Sequence, residues 1–211
     1  IEEAISPALG LEIFHNFTLL HDDVMDKADV RRGKATVHVK WNANTAILSG
    51  DAMLTMATQY IAKAPVAVLP EVMKLYNNTA MEIYEGQQYD VDFESRIDVT
   101  EAEYINMIRL KTSVLLGCAC KIGAIIGGAS AEDATRIYRF GELIGLAFQL
   151  QDDLLDVYGD EKTFGKAIGG DIMNNKKTFM LIKAFELAQG KDHSELLGWI
   201  NAENPNRAEK V

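Results

Sequence analysis

The chain has 211 residues, of which 48% are hydrophobic and 25% are charged. This length fits one domain, and the composition allows a sizeable core and disfavours wholesale disorder. The net charge of −10 disfavours nucleic acid as a partner, since phosphate backbones require an excess of Lys and Arg. No apolar run is long enough for a membrane span, so we expect none.

The cysteine content indicates a reducing compartment. Cys118 and Cys120 lie two positions apart in a helical stretch, so their side chains point to different faces and cannot easily form a disulfide. We expect two buried thiols and, with no secretory leader visible, a cytoplasmic protein.

Apolar residues at helical spacing predict a first helix that is interrupted at Pro7 and ends near residues 27–33. Its last turns carry Asp22, Asp23 and Asp26. Residues four apart share a helix face, so Asp22 stacks with Asp26, and Asp23 lies about a quarter-turn away. Such close acids repel one another, and Mg²⁺, which takes carboxylate oxygens, would remove the repulsion. A single motif of this kind is equally typical of a solvated helix end.

The stretch from Asp29 to Val39 is predicted to be a polar, basic loop. Arg31 and Arg32 suggest anion recognition, because guanidinium groups bind phosphate oxygens bidentately. The alternative is that both arginines only neutralise the acids before them. His15 lies two helical turns before Asp22, where a histidine in the core is the alternative to a ligand.

Further helices are predicted from Asn44 to Ala64, and from Pro70 toward Phe93 with Gly86-Gln87 in a polar interruption. Thr100 and Glu103 form a capping box for the next helix, which passes Lys111-Thr112 and continues to Ile126. A Lys-Thr pair at the polar end of an apolar run could hold an anion, although this signal alone is weak.

Ser130, with Asp133 three positions later, is predicted to cap a helix whose apolar stripe faces the core: Ile137, Phe140, Ile144, Phe148 and Leu155. This helix ends in a second acidic motif and carries Gln149, Asp152, Asp153 and Asp156. A loop with Lys162 and Lys166 follows, and then a helix from Asp171 through Lys176 and Lys177 to Gly190. Shorter helices are predicted near 193–201 and from Pro205. No strand pattern is visible, and the chain is predicted to be all-helical with about eight helices.

Two carboxylate clusters with nearby cations can hold a diphosphate and its Mg²⁺ ions. Metal ions and cationic side chains stabilise the charge that develops on a leaving diphosphate. Departure of the diphosphate leaves a carbocation, which requires a dry apolar pocket of the kind that a helix bundle provides. No nucleophilic triad is visible in the sequence, and this chemistry requires none.

The sequence strongly resembles the trans-isoprenyl diphosphate synthases, also called polyprenyl synthetases. Leu19-Leu20-His21-Asp22-Asp23-Val24-Met25-Asp26, followed by Arg31-Arg32-Gly33-Lys34, resembles their first aspartate-rich motif, and residues 148–156 resemble the second. Gly86-Gln87, Lys111-Thr112 and the segment with Lys166, Asp171 and Lys176 resemble motifs between and after them. The resemblance implies an all-α isoprenoid-synthase-type helical bundle with a central apolar cavity.

The resemblance also implies the roles of individual residues. It implies three Mg²⁺ ions per site, for which Mn²⁺ can substitute. The implied metal ligands are Asp22, Asp23, Asp26, Asp152, Asp153 and Asp156. The implied ligands of the allylic diphosphate are Arg31, Lys111, Lys166 and Lys176, and those of isopentenyl diphosphate are His15 and Arg32, which overturns the core reading of His15. Thr112 and Gln149 would stabilise the carbocation. The implied catalytic set is Asp22, Asp26, Arg31, Lys111, Thr112, Gln149, Asp152 and Lys166.

The implied reaction joins an allylic diphosphate to isopentenyl diphosphate, in a homodimer. Phe17, the fifth residue before Asp22, and Thr18 are expected to limit the product to about C15–C20, with C20 favoured, and the alternative is a medium- or long-chain synthase. A class I terpene cyclase is disfavoured by the full second motif, and a non-catalytic regulatory subunit by the presence of both motifs.

The chain departs from the family pattern at two places. Ala35 stands where the family usually has Pro, a change in loop stiffness. The family's Gly-Lys-Arg segment, which holds isopentenyl diphosphate, normally precedes the region that begins at Ile1, and further helices normally follow Val211. We therefore expect a single domain over 1–211 that lacks its N-terminal and C-terminal helices.

Overall fold

The computed structural model describes residues 1–159, 169–202 and 205–211, and it confirms the all-α class. The helices are α1 (Glu2–Met25), α2 (Val37–Lys40), α3 (Ala43–Ile61), α4 (Leu69–Glu94), α5 (Glu101–Ile108), α6 (Val114–Ile126), α7 (Ala131–Tyr158), α8 (Gly170–Met173), α9 (Phe179–Leu187), α10 (Gly190–Ile200) and α11 (Arg207–Lys210). A π-helical turn, Arg109–Ser113, joins α5 to α6. Among the described residues, no helix combines the length and apolar content needed to cross a bilayer.

The predicted basic loop contains a small hairpin that the sequence patterns missed. Strand β1 (Val30–Arg31) pairs antiparallel with β2 (Lys34–Ala35), and Arg31 stands opposite Lys34. Arg32 and Gly33 form the turn with φ of 53° and 73°, the left-handed values that a two-residue type I′ turn requires. The strands are too short to show an alternating pattern, and Arg-Gly is not the usual Asn-Gly turn, so the hairpin left no recognisable signal in the sequence.

The chain divides into two compact units. The first comprises Ile1–Thr79 and Gly117–Phe140. Within it, α1 packs along α3, and the Phe14 ring is fully buried against Tyr76 at 5.4 Å between ring centroids, in an edge-on arrangement. Helix α1 continues through Pro7, where the sequence predicted an interruption. Cys118 is buried here and Cys120 is half-buried, and both are free thiols.

The second unit comprises Ala80–Leu116 and Gly141–Val211. Its core is a cluster of buried side chains from α4, the loop after it, α5 and α9: Phe93, Val99, Tyr104, Met107, Ile108 and Ile182. Tyr104 is the largest of these side chains, and it is 2% exposed. This core holds α5 in place immediately before the π-helical turn.

Both predicted capping motifs are confirmed. Thr100 and Glu103 form a reciprocal capping box at the start of α5. At the start of α7, Ser130 accepts a hydrogen bond from the backbone N–H of Asp133 at 3.1 Å and donates to its carboxylate at 2.8 Å. These caps satisfy N–H groups that would otherwise lack partners in the first helical turn, which explains why the local sequence predicts both helix starts well.

The prediction that five apolar residues of α7 face the core is wrong for four of them. Ile137, Phe140, Ile144 and Phe148 are exposed. Helix α7 instead buries a face with small and acidic residues, namely Ala134, Gly141, Glu142, Gly145, Asp153 and Asp156. Small residues let neighbouring backbones approach closely, and hydrophobicity alone does not reveal such a face.

The segment after Asp171 also differs from the prediction. A single helix to Gly190 was expected, but α8 ends at Met173 and α9 begins at Phe179. Asn175 has a φ of 52°, which breaks the helix, and the Thr178 side chain caps α9 by accepting from the N–H of Leu181. Lys176 and Lys177 therefore lie in a connector. Gly190 begins α10 instead of ending a helix.

Candidate functional site

The first aspartate-rich motif occupies the C-terminal end of α1, in the first unit. Asp22 is half-buried and Asp26 is exposed at the end of the helix, one turn later. Asp23 is only 4% exposed, and its Oδ1 accepts a hydrogen bond from Arg31 Nε at 2.6 Å. The three carboxylates therefore have different surroundings, and those of Asp22 and Asp26 are the more accessible to a ligand.

The hairpin brings Arg31 back to the motif. Besides its bond to Asp23, Arg31 places Nη2 3.9 Å from Asp22 Oδ2. One guanidinium thus neutralises part of the charge on two neighbouring acids, as the alternative reading of the sequence expected. Arg32 stands exposed in the turn of the hairpin. The short turn explains why two adjacent arginines have such different surroundings.

His15 lies close enough to both arginines for their charges to act on it. Burial lowers the pKa of His15 below its ordinary value, Glu12 raises it, and Arg32 and Arg31 lower it further. The first unit therefore places His15, Arg31 and Arg32 in one neighbourhood. A neutral imidazole can still donate a hydrogen bond from its N–H to a phosphate oxygen.

The two predicted chain-length residues lie one helical turn below the motif. Phe17 is 5% exposed and packs against Phe14 at 5.5 Å and against His21 at 4.8 Å, both between ring centroids. Thr18 donates its hydroxyl to the carbonyl of His15 at 2.8 Å. Phe17 is therefore part of a packed aromatic group in the first unit.

The second motif occupies the end of α7, in the second unit. Asp152 is half-buried, whereas Asp153 is only 3% exposed. The Asp153 carboxylate accepts hydrogen bonds from the Tyr104 hydroxyl, from the backbone N–H of Phe179 at 3.0 Å and from Gln149 Nε2 at 3.5 Å. As in the first motif, the second aspartate is buried and bonded, and the first aspartate is the more accessible one.

The remaining acids of this region belong to the same neighbourhood. Asp156 is buried and accepts a hydrogen bond from the backbone N–H of Asp171 at 3.0 Å. Burial raises the pKa of Asp171 to about 6, with Lys176 lowering it and the carboxylates of the second motif raising it. The carboxylates near Lys176 therefore create a negatively charged environment, which favours binding of a cation. Lys162 and Lys166, which were also predicted near this motif, lie outside the described residues.

Lys111 and Thr112 sit in the π-helical turn of the second unit and point to different helices. Lys111 Nζ lies 2.6 Å from Asp90 Oδ2 on α4, and Thr112 donates to Gln149 Oε1 on α7 at 3.3 Å. Single π-helical turns occur frequently at functional sites. Three predicted site residues, Lys111, Thr112 and Gln149, are therefore adjacent within one unit.

The donor set suits a hard divalent cation, provided that the substrate completes its coordination. Within the described residues, no three His, Cys, Asp or Glu side chains converge closely enough to hold a metal ion alone. Mg²⁺ usually binds to one or two carboxylates together with waters and substrate phosphates. Asp22 with Asp26, and Asp152, fit that mode, because each is a carboxylate that remains partly or fully accessible.

Sequence reasoning missed two residues that hold the predicted ones in place. Asp90 is the ion-pair partner of Lys111, and Tyr104 binds the buried carboxylate of Asp153. Asp90 ends the polar interruption that starts at Glu85, which is a recognisable signal. Tyr104 precedes Lys111 by two helical turns, but a tyrosine at that place is also ordinary core, so no sequence pattern identifies its role.

Comparisons with known proteins identify the family to which the chain is similar. The sequence model of the polyprenyl synthetase family matches residues 1–211. The geranylgeranyl diphosphate synthase of Methanosarcina mazei is 47% identical over 189 residues, which cover 88% of this chain and 58% of that protein. The geranylfarnesyl diphosphate synthase of Natronomonas pharaonis is 40% identical over 209 residues, covering 98% and 60%.

A solved structure gives the same result for the fold. The crystal structure of a geranylgeranyl pyrophosphate synthase is 50% identical and matches 99% of this chain and 64% of its own, with a TM-score of 0.92. The chain spans less than two thirds of the length of these relatives. Both the matched family and the level of identity lead to one conclusion: this chain belongs to the polyprenyl synthetase family.

Proposed function

We propose that the full-length protein is a Mg²⁺-dependent prenyltransferase. It condenses an allylic diphosphate with isopentenyl diphosphate, releases diphosphate and forms an all-trans prenyl diphosphate of about C15–C20. The observation that carries this proposal is the repeated motif, in which an accessible aspartate precedes a buried, bonded one at the end of a long helix: Asp22 with Asp23, and Asp152 with Asp153.

In the first unit, Asp22 and Asp26 are the proposed metal ligands, and Asp23 supports them through Arg31. Arg31 reaches both Asp22 and Asp23, so it can also bind an allylic diphosphate held on those metals. His15 and Arg32 are the proposed ligands of isopentenyl diphosphate. These residues and Arg31 all belong to the first unit, so both diphosphates are proposed to bind near the first aspartate-rich motif.

In the second unit, Asp152 is the proposed metal ligand, and Asp153 and Asp156 support it. Lys111 and Lys176 are proposed to bind the allylic diphosphate, with Lys166 from the segment outside the described residues. Thr112 and Gln149 are hydrogen-bonded to each other and can direct their oxygen dipoles at a developing carbocation. This use of dipoles avoids a charged nucleophile that would trap the cation.

Three bound Mg²⁺ ions, or Mn²⁺ in their place, would neutralise the charge that develops on the diphosphate oxygens as the carbon–oxygen bond breaks. The chain's own residues orient the leaving group and exclude water from the cation. The released diphosphate is the proposed acceptor of the proton lost after condensation, so no protein base is assigned. The apolar cavity for the growing chain stays a prediction.

The proposed product is geranylgeranyl diphosphate, with farnesyl diphosphate as the shorter possibility. The relatives from Methanosarcina mazei and Sulfolobus acidocaldarius, at 47% and 37% identity, are both named geranylgeranyl diphosphate synthases. Phe17 provides a physical reason for a short product, because a buried ring one turn below the metal ligands can close a tunnel from one side.

The proposal is tested by incubating the full-length protein with Mg²⁺, labelled isopentenyl diphosphate and allylic diphosphates of different lengths, and then sizing the products by mass spectrometry. A C20 product, lost when the metal is chelated and restored by Mg²⁺, is expected. Turnover of the allylic diphosphate alone to cyclic hydrocarbons, or no consumption of either substrate, would contradict the proposal.

A further inference from the structure

The π-helical turn lies between two glycines that no other residue could replace without movement. On α4, a Cβ added to Gly86 would lie 2.3 Å from Lys111 N and 2.8 Å from its Cα. On α7, a Cβ added to Gly145 would lie 2.6 Å from Ser113 Cα. Backbone atoms cannot yield to such contacts as the end of a flexible side chain can. The turn is therefore held closely by one helix on each side.

One arginine joins the same two helices one turn away from these glycines. Arg109 is the first residue of the π-helical turn, and its Nη1 lies 3.3 Å from Glu142 Oε1 on α7 and 4.0 Å from Glu82 Oε1 on α4. Its Nη2 donates to Asn106 Oδ1 on α5 at 3.2 Å. Glu82 precedes Gly86 by four residues, and Glu142 precedes Gly145 by three, so each acid lies one helical turn from its glycine.

Glu142 on α7 is 6% exposed, and the Arg109 side chain is partly buried as well. Burying a carboxylate is unfavourable unless it is paired and hydrogen-bonded, and the Arg109 guanidinium supplies one such pairing for Glu142. Burial raises the pKa of Glu82, an effect that Arg109 opposes and Glu142 and Glu85 reinforce. The arginine therefore compensates two acids that would otherwise repel each other across the turn.

We propose that Arg109, through Glu82 and Glu142, is a positioning residue that holds the π-helical turn in place and so orients Lys111 and Thr112 toward the allylic substrate. The second half of this statement rests on the proposed function. A π-helical turn contains one more residue than an α-helical turn, and here Val114 N–H bonds to the carbonyl of Arg109, five residues back. That extra residue changes the direction of every side chain that follows.

The proposal explains why neighbouring side chains reach opposite partners. Lys111 meets Asp90 on α4, and Thr112 meets Gln149 on α7. If the turn relaxed to an ordinary α-helix, the side chains after it would rotate and both contacts would be lost together. The ion pairs of Arg109 with Glu82 on α4 and Glu142 on α7 prevent this relaxation, because they fix the start of the turn to the helices that carry those partners.

The first test measures the turn itself and does not depend on activity. Hydrogen–deuterium exchange of the full-length protein is compared for wild type, Arg109→Met and Arg136→Met. Arg136 is a matched control, since it also pairs with two acids, Glu132 at 2.5 Å and Asp133 at 3.4 Å, but on the exposed surface of α7. We expect amides of 109–116 to exchange at least about tenfold faster in Arg109→Met alone.

The second test separates positioning from stability. Arg109→Met is expected to raise the KM for the allylic diphosphate or lower kcat by about tenfold or more, whereas the KM for isopentenyl diphosphate stays within about twofold. Arg109→Lys keeps the charge but not the planar fork, so it should fall between wild type and Arg109→Met. If Arg109→Met does not fold, Arg109→Lys is the variant measured in both the exchange and the kinetic experiments. Glu142→Gln should change the same kinetic constants. In the double variant with Arg109→Met, the combined effect should be smaller than the sum of the two single effects.

Two results would overturn the proposal. One is exchange over 109–116 as slow as in wild type for both Arg109 variants. The other is a lowered melting temperature with faster exchange spread over the whole chain and unchanged kinetic constants, which describes an arginine that only stabilises the fold. If the wild-type protein made no prenyl diphosphate, the proposed function would fail, while the exchange experiment would still decide whether Arg109 holds the turn.

Discussion

Asp23 and Asp153 occupy surroundings that the aspartates just before them do not share. Asp23 accepts from Arg31, and Asp153 accepts from Tyr104 and from the backbone of Phe179. Both are almost fully buried, whereas Asp22 and Asp152 are only half-buried. In each motif, one carboxylate is therefore buried in hydrogen bonds with the protein, and the carboxylate just before it is more exposed to solvent. This division is a matter of environment, because the residue type is the same.

Asp153→Ala is expected to destabilise the protein far more than Asp152→Ala. Removing the Asp153 carboxylate takes a hydrogen-bond partner from the buried Tyr104 hydroxyl and from the partly buried Phe179 N–H. Leaving the buried hydroxyl without this acceptor costs about 1–3 kcal/mol in the free energy of unfolding. Asp152→Ala should cost at most about 0.5 kcal/mol. Urea unfolding of the full-length variants measures both. Equal losses for the two variants would contradict the distinct roles given to these aspartates.

Phe17→Ala is expected to lengthen the product, since removing the ring opens space for further isoprene units. The matched control is Phe14→Ala, which removes a neighbouring buried ring from the same aromatic group. Both variants should lose stability, but only Phe17→Ala should shift the product sizes seen by mass spectrometry. If Phe17→Ala kept the parent's products, Phe17 would be core packing alone.

At the scale of single elements, close contacts between helices determine the geometry of the site as much as its charged residues do. The approach of α4 to the π-helical turn depends on the absence of a side chain at Gly86. Gly123, in α6, has nothing within 4 Å of the place where a Cβ would stand. The two glycines therefore predict opposite outcomes for the same substitution in a helix.

Gly86→Ala is expected to lower the free energy of unfolding by about 1–3 kcal/mol, because the added methyl group meets the backbone of Lys111. Gly123→Ala should raise it by about 0.5–1 kcal/mol, since alanine is the better helix former. Chemical unfolding of the two variants tests the pair. A stabilised Gly86→Ala would show that α4 can move away from the turn at little cost.

Local sequence signals predicted the elements that local chemistry determines. The caps at Thr100 and Ser130 follow from hydrogen bonds within one helical turn, and both were confirmed. The buried face of α7 depends on packing by distant residues, and its predicted stripe was wrong at Ile137, Phe140, Ile144 and Phe148. The hairpin depends on two residues in the left-handed region, one of them Arg32, which no propensity favours there.

The predicted site residues divide in the same way. The aspartates of both motifs could be named from spacing and resemblance, but their division into accessible and buried members could not. That division depends on Tyr104, Phe179 and Arg31, which approach from other elements of the fold. The ion pair of Arg109 with Glu82 and Glu142 was equally invisible, since its members lie far apart in the sequence.

At the scale of the whole molecule, the full-length protein is predicted to be a homodimer. Helices α3 and α4 expose large apolar side chains, among them Leu48 at 69% and Met81 at 58%, and burying such surface on a second copy is favourable. Light scattering of the full-length protein at micromolar concentration should give twice the monomer mass. A monomer under these conditions would contradict this prediction.

We propose that both aspartate motifs act in one Mg²⁺-dependent prenyl transfer. The most direct measurement is the kcat of full-length Asp22→Ala and Asp152→Ala at saturating Mg²⁺ and both substrates, with Asp192→Ala, an exposed acid on α10, as the control. We predict that each motif variant keeps its fold and loses at least about a hundredfold in kcat, because each loses a carboxylate for the leaving-group metals, while the control stays close to wild type. Near-normal turnover in either Asp22→Ala or Asp152→Ala would contradict the claim.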